Sequence, residues 1–441
     1  DPNSSPAASA LEPLVGVDIF IVCVPTPLDP KGGWAPDTQW IKKAAKLICH
    51  VCEQEQKNDA LPHERLMVLE STTYPGTTRE IFGAPFDKFR DGREWSLAYS
   101  PERINPSGIV RGEDGVPPID PAKIKRIVGG LNKPDRDNAV ALYKKITTGV
   151  EEVDSLEAAE LVKLVENTFR FVAIGFANEM SQIARNFGLN IWEIIAAAKT
   201  KKFGLDMCDP GLIGGHCIPI DPHYLNWSVR NQRHMATFID VAEKAHQEMK
   251  RDALELIQRL LNQNHKGVSG RSILFLGVAY KENVGDTRES AIVELMKRLH
   301  SSGANVSFWD PVRASHSEKD LLYLKFNKDE YELLPPKARE GLEESGEGSY
   351  RYHPNEEKGR WEDLREKILS SPYDCIVIST NHDEFRFTFE ELIMHDTAPP
   401  LADLRNAIPQ WLLKAGLPKE RIEELQQKVS LRSKYMLLGV H

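Results

Sequence analysis

"VDIFIVCVPTP" (residues 17–27) is an unbroken apolar run closed by two prolines. A short run of this kind, stopped by proline, reads as a buried strand. Its neighbours decide the class. "DTQWIKKAAKLICHVCEQE" (37–55) carries apolar residues at helical spacing, with Asp37 placed as its cap. "RLMVLESTTYPGTT" (65–78) is a second apolar strand running into a hydroxyl-rich turn, and "EWSLAYSPERI" (94–104) is a third strand with its loop. Strand and helix in alternation predict an α/β domain around a parallel sheet.

Further along, the pattern changes. From Leu156 to about Lys202 the chain is helical, and "EAAELVKLVENTFRFVAIGFANEMSQIARNFG" is apolar on nearly every face. Such a helix is buried, by its own subunit or by a partner. A second helical block spans about His234 to Asn264. "RSILFLGVAY" (271–280) then opens another α/β unit, with strands expected at 305–311, 374–380 and 400–405. Residues 313–366 are densely charged and read as a mobile surface insertion.

A length of 441 residues suits two or three domains, and 41% hydrophobic with 27% charged residues is ordinary globular composition. A net charge of −9 and a pI near 5.9 argue against a general polyanion binder, so no nucleic acid is expected. No apolar run is long enough for a membrane span and no signal peptide is visible. Six cysteines in so long a chain make no disulfide framework and suit the cytosol. Cys49 and Cys52 form a C-x-x-C with no second pair at metal spacing, so no metal site is expected. Cys23 and Cys375, each in a strand, read as core.

One stretch is built for chemistry. "GLIGGHCIPIDPHY" (211–224) surrounds Cys217 with glycine and proline, a composition for a loop of fixed shape. A thiol with an open path and a lowered pKa is a nucleophile, and His216 and Asp221 are placed to handle its protons. Lys163 and Asn167 lie four apart and share one face of the long helix. A lysine there either snorkels to solvent or is paired and used, and the spacing leaves both readings open. Thr72 and Glu102 follow strand ends, where ligands of open α/β sheets bind; turn chemistry is the alternative. "LGVAYKENVGDTRES" (276–290) offers Lys281 and Arg288 to phosphates or a carboxylate, unless Arg288 only pairs with Asp286.

Taken in order, "VCVPTP", "ESTTYPGTT", "SPERINP", "AELVKLVENTFR", "GGHCIPIDPHYL", "GVAYKENVGDTRES", "TNHDEFR" and "DLRN" resemble the UDP-glucose/GDP-mannose dehydrogenase family. "SPERI" and "GGHCIPIDP" resemble the branch acting on UDP-N-acetylhexosamines. The resemblance implies two Rossmann-like α/β domains joined by a central helical dimerisation region. Its boundaries fall at 1–153 (NAD-binding), 154–265 (central helices and cysteine loop) and 266–441 (UDP-sugar-binding, with the 313–366 insertion). It implies NAD as cofactor, a UDP-sugar as substrate, a homodimer through the helix of residues 156–186, and a place in polysaccharide biosynthesis. The C6 alcohol would be oxidised twice to a uronic acid through a thiohemiacetal and a thioester on Cys217.

The other roles are implied position by position. Lys163 and Asn167 would stabilise oxyanions; Asp221 and Thr72 would position water and move protons; Glu102 would assist thioester hydrolysis. Pro25, Thr26, Thr72, Glu102 and Arg288 would meet the cofactor. Lys163, Asn167, Gly214, Gly215, His216, Lys281 and Arg405 would meet the substrate.

The sequence also departs from that pattern. The family opens with strand, G-x-G-x-x-G and helix; here Gly346-Glu-Gly348, in the charged insertion, is the lone G-x-G, so the first domain is expected to lack its N-terminal βαβ unit. Leu212 stands where the family has glycine, and Ala173 where the branch has asparagine. A UDP-glucose 6-dehydrogenase and a non-catalytic scaffold that lost its cofactor site are the alternative readings.

Overall fold

The computed structural model describes residues 12–29, 34–103, 123–201, 203, 207–230, 232–263, 267–312, 324–333, 339, 342–345, 349–352, 354–356, 366, 368, 373–382, 385, 399–408, 418, 420–425 and 435–438. The fold is α/β, as expected. Two compact units divide the chain: Asp1–Phe169 with Ile220–Ile239, and Arg170–Pro219 with Asp240–His441.

The first unit is built on β1 (Ile19–Val22), β2 (Glu64–Leu69), β3 (Glu94–Tyr99), β4 (Arg126–Gly130) and β5 (Val150–Val153), in that spatial order. β1, β2 and β3 are parallel, with Ile19 opposite Leu66 and Leu66 opposite Ser96. β4 runs antiparallel to β3, and β5 parallel to β4, so the sheet is mixed rather than parallel throughout. β1 is also not buried on both faces. Phe20 and Val22 turn inward while Ile19 and Ile21 are exposed, the alternation of a strand covered on one side. Cys23, just beyond it, is exposed rather than core; Cys52 and Cys375 are buried and Cys49 is half-buried.

Helices α1 (Gln39–Lys57), α2 (Ala84–Arg90) and α3 (Lys133–Tyr143) complete this unit's layers. α1 starts two residues after Asp37, whose carboxylate still accepts the Gln39 N–H at 2.9 Å. Phe82, Phe86, Phe89 and Trp95 make a run of contacting rings in the core. Among them sits a fully buried ion pair. Arg65 donates to Glu55 through Nη1 (2.8 Å) and Nη2 (3.0 Å) and to the Val17 carbonyl through Nε (2.9 Å), and lies 4.8 Å from the Trp95 ring centroid. It clamps α1 to β2.

The second unit is built on a parallel sheet ordered β11-β7-β6-β12-β13-β14, comprising β6 (Ser272–Leu276), β7 (Asn305–Trp309), β11 (Asn355–Glu356), β12 (Cys375–Ile378), β13 (Leu401–Asp403) and β14 (Tyr435–Leu437). The chain enters at β6, builds outward through β7, and returns to lay β12 on the other side. β6 and β12 therefore flank the point where the winding reverses. The 313–366 region is not plain insertion. β8 (Leu324–Asn327), β9 (Leu342–Glu344) and β10 (Ser349–Tyr352) form an antiparallel sheet with β10 in the middle, and β11 joins the edge of the main sheet. Most of that region, Gly346 and Gly348 included, lies outside the described residues, as do Ile104–Pro106 of "SPERINP" and Asp383, Glu384 and Arg386 of "TNHDEFR".

Helix α4 (Leu156–Asn186) matches the predicted span and contributes to both units; α5 (Ile191–Ala198), α6 (Asp221–Arg230), α7 (Thr237–Asn262) and α8 (Ala291–Ser301) follow. α4 is not buried all round. Leu161, Val165, Phe169, Phe176 and Ile183 are exposed, followed by Phe187 just past its end. Steps of four, four, seven, seven and four residues keep them in one stripe. Among the described residues no helix is long and apolar enough to cross a membrane.

Removing one member of the Arg65–Glu55 pair leaves a buried charge uncompensated. Glu55→Ala should lower unfolding free energy in urea by about 3–5 kcal/mol, and pairing it with Arg65→Met should recover most of the loss.

Candidate active site

In the first unit the predicted residues follow the carboxyl ends of the three parallel strands: Pro25 and Thr26 after β1, Thr72 after β2, Glu102 after β3. Pro25 is exposed, Thr26 buried, and Thr72 and Glu102 half-buried. The Thr26 carbonyl accepts the Tyr224 hydroxyl of α6. Nearby hydroxyls of Thr73 and Ser100, at the ends of β2 and β3, are buried without a hydrogen-bond partner.

One face of α4 arranges these loops, with Glu160, Lys163 and Asn167 at helical spacing. Glu160 has no exposure and accepts from the Gly76 N–H (2.6 Å), the Thr78 N–H (2.8 Å) and the Thr78 hydroxyl (2.6 Å). Burial pushes its carboxyl up to about 7, against the pull of those donors. Lys163 is half-buried and donates from Nζ to the Glu102 carbonyl at 2.6 Å, so it is paired rather than snorkelling. Asn167 donates from Nδ2 to Asp221 Oδ2 at 2.5 Å. Burial raises the Asp221 carboxyl to about 7 although Lys163 and Asn167 both act to lower it. A carboxyl poised there can take and return a proton at neutral pH.

The Glu102 carboxylate accepts from Arg126 Nη1 at 2.9 Å. Arg126 Nη2 pairs with Glu70, which also accepts the Tyr143 hydroxyl, and the guanidinium lies 5.0 Å from the Tyr143 ring centroid.

Residues 211–219, in the second unit, are a loop, as read, whereas Asp221-Pro222-His223-Tyr224, in the first unit, is the first turn of α6, a position that tolerates proline. Asn178 of α4 holds the loop's start: its Oδ1 accepts the Gly211 N–H (2.7 Å) and its Nδ2 donates to the Gly211 carbonyl (3.1 Å). Leu212, which replaces the family's glycine, is buried in the core cluster with Met249, Ala253 and Leu256. Gly214 and Gly215 pack on Tyr280 so closely that a Cβ on either would sit 2.8 Å from it. Cys217 follows, exposed. Arg288 and Tyr280 lie within electrostatic reach of its sulfur. Burial, then Arg288, lowers the His216 imidazole, which favours its neutral form at pH 7. Arg288 does form the local pair foreseen, donating to Asp286 through Nη2 at 2.7 Å.

A cavity of about 360 Å³ opens at the winding reversal of the second sheet, lined by Gly211–Gly214, Tyr280, Lys281 and Glu282 after β6, Asn381 after β12 and Arg405 after β13. Asn381 Oδ1 is buried there without a partner. His382 and Asp310, both without exposure, hold the β6 loop from beneath. Asp310 accepts the Val278 (2.9 Å) and Ala279 (3.2 Å) N–H groups and contacts His382 Nε2 at 3.3 Å, while His382 Nδ1 receives the Asn283 N–H at 3.0 Å. The pocket thus joins Lys281, Arg405 and Gly214, and the loop joins Gly215, His216, Cys217 and Arg288.

Sequence reasoning missed Glu160, Arg126, Asn178, Asp310 and His382. Glu160 and His382 sit inside the quoted motifs "AELVKLVENTFR" and "TNHDEFR"; no spacing marks Arg126 or Asn178.

Comparison with known proteins covers nearly all of this architecture. Residues 7–147 match the NAD binding domain, 157–248 the central domain and 274–410 the UDP binding domain of the UDP-glucose/GDP-mannose dehydrogenase family. A UDP-N-acetyl-D-mannosamine dehydrogenase of Methanocaldococcus jannaschii is 32% identical over 66% of this chain and 62% of its own. A UDP-N-acetyl-D-glucosamine 6-dehydrogenase of Pseudomonas aeruginosa is 30% identical over 68% of each. The solved UDP-D-ManNAc dehydrogenase of Pyrococcus horikoshii superposes with a TM-score of 0.69 at 25% identity, covering 97% of this chain and 82% of that one. The chain spans about three fifths of the Methanocaldococcus relative's length.

Asp221 gives a pH signature with a definite sign. Its folded pKa lies above its unfolded value of 3.8, so the folded state holds the proton more tightly. Keeping the ionised form buried costs stability, and the cost grows as pH rises from about 4 to about 7. Glu160 adds the same slope. Asp221→Asn should flatten part of the fall in thermal midpoint across that range; an identical profile in the variant would contradict the shift.

Proposed function

Since this chain belongs to the UDP-glucose/GDP-mannose dehydrogenase family, we propose that it oxidises the C6 alcohol of a UDP-N-acetylhexosamine to the carboxylate with NAD, through Cys217. The observation that carries the reading is the setting of that cysteine. It is exposed, it follows two glycines packed on Tyr280, and a guanidinium lies within electrostatic reach of its sulfur. An exposed thiol on a loop fixed by glycine packing has an open path to a substrate carbon.

The UDP moiety suits the cavity at the switch point of the second sheet. Lys281 and Arg405 supply positive charge for the diphosphate, and Asn381 offers an unpaired amide oxygen to a donor on the base or sugar. For NAD, Pro25, Thr26, Thr72 and Glu102 stand at the carboxyl ends of parallel strands, and the orphaned Thr73 and Ser100 hydroxyls beneath them suit a polar ligand there. Those residues, with Arg288, would hold it. Bound NAD supplies the hydride acceptor, one equivalent for each of the two oxidations.

This chain's own residues do the rest. Asp221 accepts the proton of the C6 hydroxyl, and its raised pKa lets it give the proton back. The Cys217 thiolate adds to the aldehyde carbon to give a thiohemiacetal, so the aldehyde is never released. Lys163 and Asn167 donate to the oxygen as it gains charge. Glu102 receives a proton from the water that cleaves the thioester, and Cys217 leaves as thiolate. Two copies associate through the exposed apolar stripe of α4, which a single chain leaves open to water. The setting is the cytosol, where the thiol stays reduced.

The test is turnover. UDP-N-acetylmannosamine or UDP-N-acetylglucosamine should yield two NADH per uronic acid, and Cys217→Ser should stop uronate formation while keeping the fold. Better kcat/KM with UDP-glucose would move the substrate to the family's other branch, and no turnover with any UDP-sugar would favour a scaffold. Lys163→Ala should cost kcat about 2–4 kcal/mol with little change in KM; an unchanged kcat would confine Lys163 to holding the Glu102 carbonyl.

A further inference from the structure

We propose that Arg126 is a positioning residue for thioester hydrolysis: anchored by Glu70, it aims the Glu102 carboxylate as base. The inference rests on the dehydrogenase reading and goes beyond it, to a residue that no motif marked.

Arg126 opens β4 between two carboxylates of unequal character. Glu70, after β2, has a side chain only 12% exposed, and it takes Arg126 Nη2 together with the Tyr143 hydroxyl. Glu102, after β3, has a side chain 47% exposed and takes Nη1. The Arg126 side chain is 11% exposed and its guanidinium lies over the Tyr143 ring. The inner pair is therefore a fixed anchor and the outer carboxylate is the one open to a ligand. A planar guanidinium locked on one side presents its other N–H in one direction. That direction sets the Glu102 carboxylate.

Glu102 is gripped twice, through its carbonyl by Lys163 and through its carboxylate by Arg126. Both grips arise within one unit, from α4 and β4. A structural ion pair would need only Glu70. The second arm, spent on a half-exposed carboxylate, adds little stability at such a surface. It does supply the directional control that proton transfer requires.

The step it serves balances without any redox partner. Water oxygen bonds to the acyl carbon, one water proton passes to the Glu102 carboxylate, the C–S bond breaks, and Cys217 departs as thiolate with the uronic acid. If Glu102 is misaimed while its backbone stays held by Lys163, this step slows far more than either oxidation.

The experiment follows the acyl-enzyme. With NAD and the UDP-N-acetylhexosamine that the wild type turns over, Arg126→Met should release two NADH per site in a burst and then stall. Steady-state kcat should fall by about 10–100-fold. Intact-mass spectra should show the uronyl adduct on most chains, bound at Cys217, with KM for the UDP-sugar, measured at saturating NAD, changed by less than about twofold. Arg126→Lys, which can reach one carboxylate at a time, should restore part of kcat and shrink the adduct. Should Arg126→Met fail to fold because Glu70 is left buried and unpaired, Arg126→Lys and Glu70→Gln carry the same readouts, with circular dichroism confirming the fold. Folded variants that lose kcat without accumulating adduct, or that keep wild-type kcat, would overturn the inference and leave the dehydrogenase reading intact. A wild type that forms neither NADH nor adduct with any UDP-sugar would overturn both.

Discussion

A buried helix face that carries polar groups must find partners for them, and on α4 those partners are loops. Glu160 fastens the turn after β2, Lys163 the backbone after β3, and Asn167 the first residue of α6. None of these bonds would be worth much as stabilisation in water. Their effect is geometric, because three segments distant in sequence are referred to one rigid rod. The helix therefore acts as a ruler for the first unit, and displacing it would shift Thr72, Glu102 and Asp221 together.

The second unit solves a similar problem with a sheet. At the carboxyl ends of its parallel strands, the winding reversal between β6 and β12 leaves a gap that no crossover fills. The gap holds positive charge because Lys281 and Arg405 extend from two of its strand ends. It keeps its shape because a buried aspartate and histidine occupy the amides of the β6 loop. Arg405 has its pKa lowered by burial against the carboxylates of Glu282, Asp403 and Asp209, so the site holds a partly desolvated cation even without a ligand.

Class and strand order of appearance were legible because apolar runs and helical periodicity are local signals. "RSILFLGVAY" and "DCIVIST" needed no tertiary knowledge to be read as strands. Orientation was not legible: nothing local in "RIVGG" tells that β4 reverses against β3. Burial on one face or two was likewise invisible for "VDIFIV", because it depends on what covers the sheet. Asp221 looked like loop because the proline beside it usually breaks a helix, whereas at a helix start it is tolerated. In the site, residues whose types are chemically unusual for their surroundings stood out, such as Cys217 among glycines and Lys163 on an apolar helix. Residues that work by holding another residue, such as Arg126 and Asn178, look like ordinary polar side chains until their partners arrive from elsewhere in the chain.

The clasp between Asn178 and Gly211 carries a consequence for time as well as shape. A side-chain amide that both gives and takes a hydrogen bond on one residue's backbone reproduces a rung of a β ladder, here between a helix and the start of the cysteine loop. Leu212, next in line, is sunk in the core. To swing open, this end of the loop would have to break the rung and pull a leucine into water, so its excursions belong to the unit's cooperative unfolding and not to local breathing. Its amides should exchange with solvent on the slow clock of the core. The entropy of shaping the segment is settled when the chain folds, and a ligand arriving at the cavity meets a wall already in place.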